Sequence, residues 1–154
     1  MRIEYINPFV EAAFSILREV LNVDPKRGEL YLKSSSQSIL GVAAIVGLAG
    51  DVEGRVLLDM TNDTAVSIAS AMNMEELESL DDLGKATINE LANMITAQAV
   101  TKLHDLGFEF DLTPPAIITG ENMEVSDPGV EALIVPVEVP QGKIEINVAV
   151  RERT

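Results

Sequence analysis

Apolar residues recur at helical spacing near the start of the chain. Their positions, three or four residues apart, are Phe9, Ala13, Ile16, Leu17 and Val20. Asn7 is a favourable helix cap and Pro8 suits the first helical position, so the pattern predicts a helix that begins there. Pro25 and Gly28 are predicted to mark its end.

The same spacing predicts two further helices. One covers about residues 62–72, with Asp63 as its capping residue, and the longest begins near Asp81 and is closed by Gly107. Because a helix advances by about 100° per residue, the longest helix gathers its apolar residues into one stripe. The stripe comprises Ile88, Leu91, Ala92, Ile95, Ala99, Leu103 and Leu106.

Strands are predicted between the first two helices. A short strand at about residues 30–33 leads into a Ser-rich connection at 34–38. A hairpin follows, with strands at about 39–49 and 55–60. The glycines of the turn at 50–54 permit the positive φ angles that a hairpin turn requires.

More strands follow the longest helix. Residues 108–112 alternate as a half-buried strand does, and Pro114 and Pro115 end it. A last hairpin pairs about 132–139 with 143–151 across a Pro-Gln-Gly turn.

Two short sequence matches indicate an internal repeat in this order of elements. The Ile-Asn pair at residues 6–7 recurs 82 positions later at 88–89, and the strand at 55–60 matches 143–148, 88 positions later. Two matches in the same order predict a tandem duplication. We therefore expect an α+β fold in which two α-β-β-β units form a largely antiparallel sheet, with the long helices packed on one side of it. Residues 1–154 would form a single domain with an internal pseudo-repeat of about 6–72 and 81–151.

Composition narrows the classes of function. A chain of 154 residues, 47% of them hydrophobic, can bury a core without metal or disulfide help. No apolar run approaches the roughly 20 residues of a membrane span, and no secretory signal is recognisable, so a soluble cytoplasmic protein is expected. The absence of cysteine excludes thiolate chemistry, and with one histidine no metal site is predicted. The net charge of −14 opposes nucleic-acid binding and suits a partner with basic patches.

Candidate chemistry lies on the longest helix, opposite its apolar stripe. Helical periodicity turns Glu90 and Asn93 away from the predicted core, where neither is needed for packing. The same outward side carries four residues that could contact a partner: Ala86, Met94, Ala97 and Thr101. With the 82-residue shift that relates the two helices of the internal repeat, Glu90 and Asn93 correspond to Pro8 and Glu11. The first half therefore lacks the pair, and one site per chain is expected.

This Glu-x-x-Asn pair, the chain length and the two α-β-β-β halves resemble the CheC, CheX and FliY group of chemotaxis phosphatases, in particular its CheX-like members, which carry the motif once. The family motif places Asp or Ser four residues before the Glu and a Pro after a fixed gap. Here Ala86 stands at the first position, with Asp82 one turn earlier, and Pro115 follows Asn93 after 21 residues. The family attributes its chemistry to the positions that match, Glu90 and Asn93.

The resemblance implies hydrolysis of the aspartyl phosphate of a CheY-like response regulator. An acyl phosphate is already activated, so catalysis requires mainly a water in line with phosphorus and stabilisation of charge. An amide both donates and accepts hydrogen bonds, so Asn93 can orient that water. A phosphoryl dianion would repel the carboxylate of Glu90, which is therefore assigned to a cation of the partner, the regulator's active-site lysine. The regulator would supply Mg²⁺, and the resemblance also implies a homodimer, built by extension of the sheet at an exposed edge.

Two other functions stay open. A non-catalytic module that binds the regulator, such as a flagellar-switch or adaptor component, would bind without speeding phosphate loss, and a plain dimerisation domain would not bind the regulator at all.

Structural roles are expected for several other residues. His104 is expected to satisfy carbonyl groups at the end of its helix, Met72 and Met74 to pack, and the acids at 75–78 and 81–82 to form a solvated loop and a first helical turn.

Overall fold

The computed structural model describes residues 3–33, 36–126 and 131–152. It contains the three predicted helices: α1 (Ile3–Leu21), α2 (Asn62–Asn73) and α3 (Asp82–Asp105). Within the described ranges, no helix is long and apolar enough to cross a membrane.

The predicted start of α1 is wrong. The helix begins at Ile3, five residues earlier than expected, so that Pro8 lies inside it rather than at its first position. The additional turn buries Tyr5 and Ile6, and the ring of Tyr5 packs edge-on against Phe108, with 5.0 Å between ring centroids. Burial of these two side chains offsets the single backbone hydrogen bond that Pro8 cannot donate.

The predicted cap of α2 is displaced by two residues. Thr61, not Asp63, caps the helix, because the Thr61 side chain accepts a hydrogen bond from the backbone N–H of Thr64. Asp63 lies exposed in the first turn, where its negative charge interacts favourably with the helix dipole. At the other end the helix closes at Met74, whose φ of 51° is left-handed.

The described residues form ten strands. Their bounds are β1 (Lys26–Arg27), β2 (Tyr31–Lys33), β3 (Ser36–Ser38), β4 (Val42–Gly50), β5 (Val52–Met60), β6 (Phe110–Leu112), β7 (Ala116–Thr119), β8 (Glu124–Ser126), β9 (Ala132–Val139) and β10 (Gly142–Glu152). Both predicted hairpins are present, β4 with β5 and β9 with β10. The turn of the first hairpin is tighter than predicted, and β1, β3, β7 and β8 were not predicted. The expected Ser-rich connection is partly strand β3, and its residues 34–35 lie outside the described ranges.

All described strand pairs are antiparallel, which confirms the predicted α+β class. The main sheet has the order β1-β9-β10-β5-β4-β6, with β2 also on β9 and β7 also on β4, while β3 and β8 pair separately. This order is unchanged when β1 to β5 are exchanged with β6 to β10. That symmetry supports the internal pseudo-repeat, which stays a prediction.

One face of the sheet packs against all three helices. The main core combines the apolar stripes of α1 and α3 with side chains of the four central strands, so both predicted halves contribute to it. The opposite face of the sheet holds smaller apolar clusters, one of which Val125 of β8 covers. The long helices thus lie on one side of the sheet, as predicted.

That opposite face also buries charge. Asp59 of β5 and Glu145 of β10 are each about 5% exposed and stand directly across from each other in the β5–β10 pair. The backbone N–H of Leu40 donates to Asp59 at 2.9 Å, and the hydroxyl of Tyr31 donates to Glu145. Burial, and secondarily the charge of Glu145, raise the pKa of Asp59 from 3.8 to about 6. Burial and the bond to Glu145 raise the pKa of Tyr31 to about 12.

We expect Asp59→Asn to stabilise the protein at pH 8 by about 2 kcal/mol. The folded state binds the Asp59 proton more tightly than the unfolded state, so this group's contribution is fully present below pH 3.8 and is lost as the pH rises through about 6. An amide can still accept from Leu40, and its N–H can face Glu145 without repulsion. Denaturant unfolding of both proteins from pH 4 to 8 would measure the difference.

Asp111→Asn is the matched control, since Asp111 is an exposed strand carboxylate. It is expected to change the free energy of unfolding by less than about 0.5 kcal/mol at either pH. A loss of stability at pH 8 in the Asp59→Asn protein would contradict the account of the buried pair.

The exposed face of helix α3

Local signals at both ends fix the bounds of α3. At its start, the side chain of Asp81 accepts a hydrogen bond from the N–H of Gly84 at 2.9 Å. At its end, Gly107 has a φ of 95°, and the N–H groups of Gly107 and Phe108 donate to the carbonyls of His104 and Leu103. This is the paired arrangement by which a left-handed residue closes a helix. The predicted bounds of α3 are therefore confirmed.

The buried side of α3 matches the predicted stripe except at its last residue. Its apolar residues Ile88, Leu91, Ala92, Ile95, Ala99 and Leu103 are buried. Leu106, by contrast, lies 62% exposed after the last helical residue, so its predicted burial is wrong. The helix has ended at Leu106, and the periodicity no longer decides which way its side chain points.

Glu90 and Asn93 are both exposed on the opposite side of α3. They are three residues apart, which corresponds to about 4.5 Å along the axis and about 60° around it. Neither side chain has a hydrogen-bond or ion-pair partner among the residues that the structure describes. Both are therefore available to another molecule, and their positions depend on the helix backbone alone.

Contacts around the pair hold that backbone in place. The buried hydroxyl of Thr96 donates to the carbonyl of Ala92 at 2.8 Å and lies 3.3 Å from that of Asn93. Asn73, at the end of α2, donates from its Nδ2 to the hydroxyl of Thr87 at 2.8 Å, one turn before Glu90. The helix that carries the pair is thus fixed to α2 by the bond from Asn73 and to the sheet by its buried apolar stripe.

An ion pair joins α3 to α1. The Nζ of Lys102 lies 3.4 Å from a carboxylate oxygen of Glu11, which corresponds to Asn93 in the predicted pseudo-repeat. Both side chains are substantially exposed, so the pair contributes at most about 1 kcal/mol to stability. The corresponding surface on α1 therefore carries an acid engaged in an ion pair, next to the buried ring of Pro8, and has no free amide at that position.

The four expected partner-binding residues do not all have the same environment. Ala86, Ala97 and Thr101 are exposed on the same side of α3 as the pair. Met94 is half-buried and packs against the main core, so only part of its side chain can contact a partner. Two small residues beside Glu90 and Asn93 leave space for another backbone to approach closely.

The other candidate residues lie elsewhere. His104 is in the last turn of α3, where its Nε2 accepts a hydrogen bond from the N–H of Phe110 at 3.5 Å, rather than satisfying carbonyl groups as predicted. It is 14 residues beyond Glu90, about 21 Å along the axis, too far to act on the same reacting atom. The acids at 75–78 and 81–82 are solvated or cap the helix. The described residues contain no group of three or more His, Cys, Asp or Glu side chains that could hold a metal ion.

Two apolar residues near the pair were not predicted as exposed. Met72 packs against the core as expected, but Met74 is 93% exposed, so the prediction that it packs is wrong. Leu83, which was assigned no role, is 45% exposed in the first turn of α3. Hydrophobicity alone predicts burial for both, and only the position of each residue in the fold reverses that expectation.

Comparison with known proteins identifies similar chains. Residues 42–138 match the family described as "Chemotaxis phosphatase CheX". A protein of Thermotoga maritima named "CheY-P phosphatase CheX" is 30% identical over 135 residues, which cover 87% of this chain and 86% of the relative.

Solved structures are similar over nearly the whole length. A chain in the crystal structure of a CheX-CheY-BeF3-Mg²⁺ complex from Borrelia burgdorferi is 50% identical, with a TM-score of 0.85 over 98% of this chain and 100% of that one. A CheC-like superfamily protein from Shewanella sp. PV-4 is 26% identical, with a TM-score of 0.88 over 98% of this chain and 99% of that one. The fold and the sequence therefore lead to the same group of proteins.

Proposed function

This chain belongs to the CheX family of chemotaxis phosphatases, and from that membership we propose that it hydrolyses the aspartyl phosphate of a CheY-like response regulator. The observation that supports a catalytic role is the exposed Glu90 and Asn93 pair on a helix that is held by its buried apolar stripe and by the bond between Asn73 and Thr87. A relative is named as a CheY-P phosphatase, and another is found in a complex with CheY.

Asn93 is the proposed catalytic residue. Its amide is neutral, so it can approach the anionic phosphoryl group, and it can hold a water through one accepting and one donating hydrogen bond. The water must lie in line with the phosphorus–oxygen bond that breaks, and a fixed helix supplies that placement without an ordering cost at the moment of reaction. The free side chain of Asn93 has no bond within the described fold that would have to break first.

Glu90 is the proposed docking residue. Its carboxylate would be repelled by a phosphoryl dianion but attracted to a lysine ammonium group of the regulator. Because Glu90 and Asn93 lie about 4.5 Å apart along one rigid helix, an ion pair at Glu90 would fix the reach of Asn93. Docking and catalysis are thus assigned to different residues.

The regulator is the proposed source of Mg²⁺. The complex from Borrelia burgdorferi contains CheX, CheY, BeF3 and Mg²⁺ together. In this division of labour the metal and most phosphate ligands belong to the regulator, and this chain contributes the amide and the carboxylate. The cytoplasm, where a response regulator would be met, stays the predicted location.

A phosphate-release time course tests the proposal. A CheY-like regulator phosphorylated with acetyl phosphate would be followed in Mg²⁺ with and without this chain. Faster release with the chain supports a phosphatase. Binding of the phosphorylated regulator without faster release would instead favour the non-catalytic module, and no binding in either phosphorylation state would favour a plain dimerisation domain.

A homodimer is also proposed, through the edge of the sheet at β2. Strand β2 pairs with β9 on one side, and its Leu32 is 60% exposed with Tyr31 beside it. An unpaired edge with exposed apolar side chains favours pairing with another chain. The opposite edge is less suitable because Asp111 of β6 is exposed there.

Leu32→Lys is expected to convert the dimer to a monomer, because a lysine on each copy would place like charges at the shared edge. Size-exclusion chromatography with light scattering would measure the mass. Leu106→Lys is the control, since Leu106 is equally exposed but lies at the end of α3. A monomeric native protein, or a dimer that survives Leu32→Lys, would refute the assignment of this edge.

A further inference from the structure

We propose that Met74 and Leu83 form an apolar anchor that binds the phosphorylated regulator beside the Glu90 and Asn93 pair and sets the affinity for it. This inference rests on the proposed function and names part of the surface that the function uses. Two observations that do not involve the side chains of the catalytic pair support it. A methionine is exposed in a backbone conformation that suits glycine, and a leucine is exposed on the side of α3 that carries Glu90 and Asn93.

Met74 occupies a position where the fold requires a left-handed residue. Its N–H donates to the carbonyl of Ala71 and that of Glu75 donates to Ser70, the two bonds that close α2. Glycine adopts this conformation without strain. Of the three non-glycine residues with positive φ in the described ranges, two are asparagines, which tolerate it, and the third is Met74.

The side chain of Met74 has almost no packing role in the fold, because 93% of it is exposed. A large apolar side chain at this position therefore costs backbone strain and returns no burial within the chain. Contact with another molecule would account for it, and methionine adapts readily to the shape of a partner.

Leu83 is exposed, whereas the two preceding leucines of the same segment are partly buried. Leu77 and Leu80 pack against the core and contact the position of Gly84, whereas Leu83 is 45% exposed. Leu83 and Glu90 are seven residues apart, close to two full turns, so they lie on the same side of α3. The leucine is thus part of the surface that carries the proposed site.

The hydrogen bond between Asn73 and Thr87 brings Met74 to this surface. Asn73 immediately precedes Met74, and Thr87 lies one turn after Leu83 and one turn before Glu90. The hydroxyl of Thr87 also donates to the carbonyl of Leu83 at 2.8 Å. These bonds fix the end of α2 against the first turns of α3, so the two apolar residues flank one short stretch of helix.

The size of a protein interface places Leu83 inside the docking area. A standard interface buries about 800 Å² on each partner, which corresponds to a disc of roughly 16 Å radius. From the midpoint of Glu90 and Asn93, Leu83 is about 13 Å away along the helix axis and Leu106 about 22 Å. A regulator centred on the pair would cover Leu83 and would not reach Leu106.

Charge identifies the kind of surface that fits. Exposed acids lie next to each anchor residue in sequence, with Glu75 and Glu76 after Met74 and Asp82 before Leu83. The complementary surface is an apolar spot with lysine or arginine at its rim. A cation of the regulator is also proposed to pair with Glu90. The regulator is therefore the partner whose positive charge suits both Glu90 and the acids beside the anchor.

Met74→Gly and Leu83→Gln test the anchor. Steady-state phosphate release would be measured over a range of concentrations of a CheY-like regulator phosphorylated with acetyl phosphate. Each variant is expected to raise KM by about tenfold, the effect of losing one interface anchor, with kcat changed less than about twofold. Met74→Gly should also unfold at the same or a higher temperature, since glycine relieves strain, which separates lost docking from lost stability.

Leu106→Gln is the matched control and should leave KM unchanged. An active native protein whose KM is unaltered by both anchor variants would overturn the inference while leaving the phosphatase proposal intact. A changed oligomeric state in the anchor variants would overturn it too, because the face would then bind a second copy of this chain. An inactive native protein would instead refute the proposed function.

Discussion

Asn93→Ala is expected to lower the stimulated rate of phosphate loss by about 10²- to 10³-fold, the cost of removing one well-placed hydrogen-bonding group from a catalytic site. The substitution removes both the donor and the acceptor that are proposed to orient the attacking water. The regulator would keep its own Mg²⁺ and phosphate ligands, so its spontaneous rate of phosphate loss should remain. The effect should appear in kcat, with little change in KM.

The fold should tolerate this change. Asn93 is exposed and without a side-chain partner among the described residues, and alanine is a better helix former by several tenths of a kcal/mol. The thermal midpoint of unfolding should therefore be unchanged or slightly higher. Loss of activity in a protein of equal stability would assign the effect to chemistry.

Gln98→Ala is the matched control for Asn93→Ala. It removes the same amide group from the same helix, at a half-buried position about 140° further around the axis than Asn93. Its turnover should equal that of the native chain. Unchanged turnover in the Asn93→Ala protein, or an equal loss in the Gln98→Ala protein, would remove the catalytic role of Asn93.

The features predicted correctly from the sequence depend on neighbouring residues. The caps of α3, Asp81 and Gly107, act within one turn of the helix, so their residue types were sufficient to place its ends. The exposure of Glu90 and Asn93 followed from helical periodicity, because the stripe from Ile88 to Leu103 fixes which side is buried.

The features that were missed depend on distant residues. α1 begins early because Tyr5 packs with Phe108 and Phe110, about a hundred residues away in the chain. Strands β1 and β3 have only two and three residues, too few for an alternation pattern, and they exist because partners in the other half pair with them.

The candidate site shows the same division. The carboxylate of Glu90 and the amide of Asn93 could be identified from the sequence of one helix, but the contacts that hold this helix in place could not. The bond between Asn73 and Thr87 joins two helices, and the exposure of Met74 follows from the closure of α2 in three dimensions. A hydrophobic residue at a helix end can pack or be exposed, and the sequence does not contain the neighbouring surface that decides it.

Glu90→Ala is expected to raise KM for the phosphorylated regulator by about 30-fold or more, since truncating one member of an interfacial charge pair costs at least about 2 kcal/mol. The reason is that a lysine of the regulator would be desolvated in the complex without an anion to receive it. Glu90→Lys should have a larger effect, because two like charges would then meet. In both proteins, once the regulator is saturating, kcat should fall much less than in Asn93→Ala.

Ionic strength distinguishes docking by charge from a direct role in the chemistry. If Glu90 pairs with a cation, added salt should raise the KM of the native protein by a larger factor than that of the Glu90→Ala protein, since the variant has lost the interaction that salt screens. Glu109→Ala, which removes an exposed acid beyond the end of α3, should retain the native KM and most of its salt dependence. A Glu90→Ala protein with native KM and a kcat as low as that of Asn93→Ala would instead place the carboxylate at the reacting water.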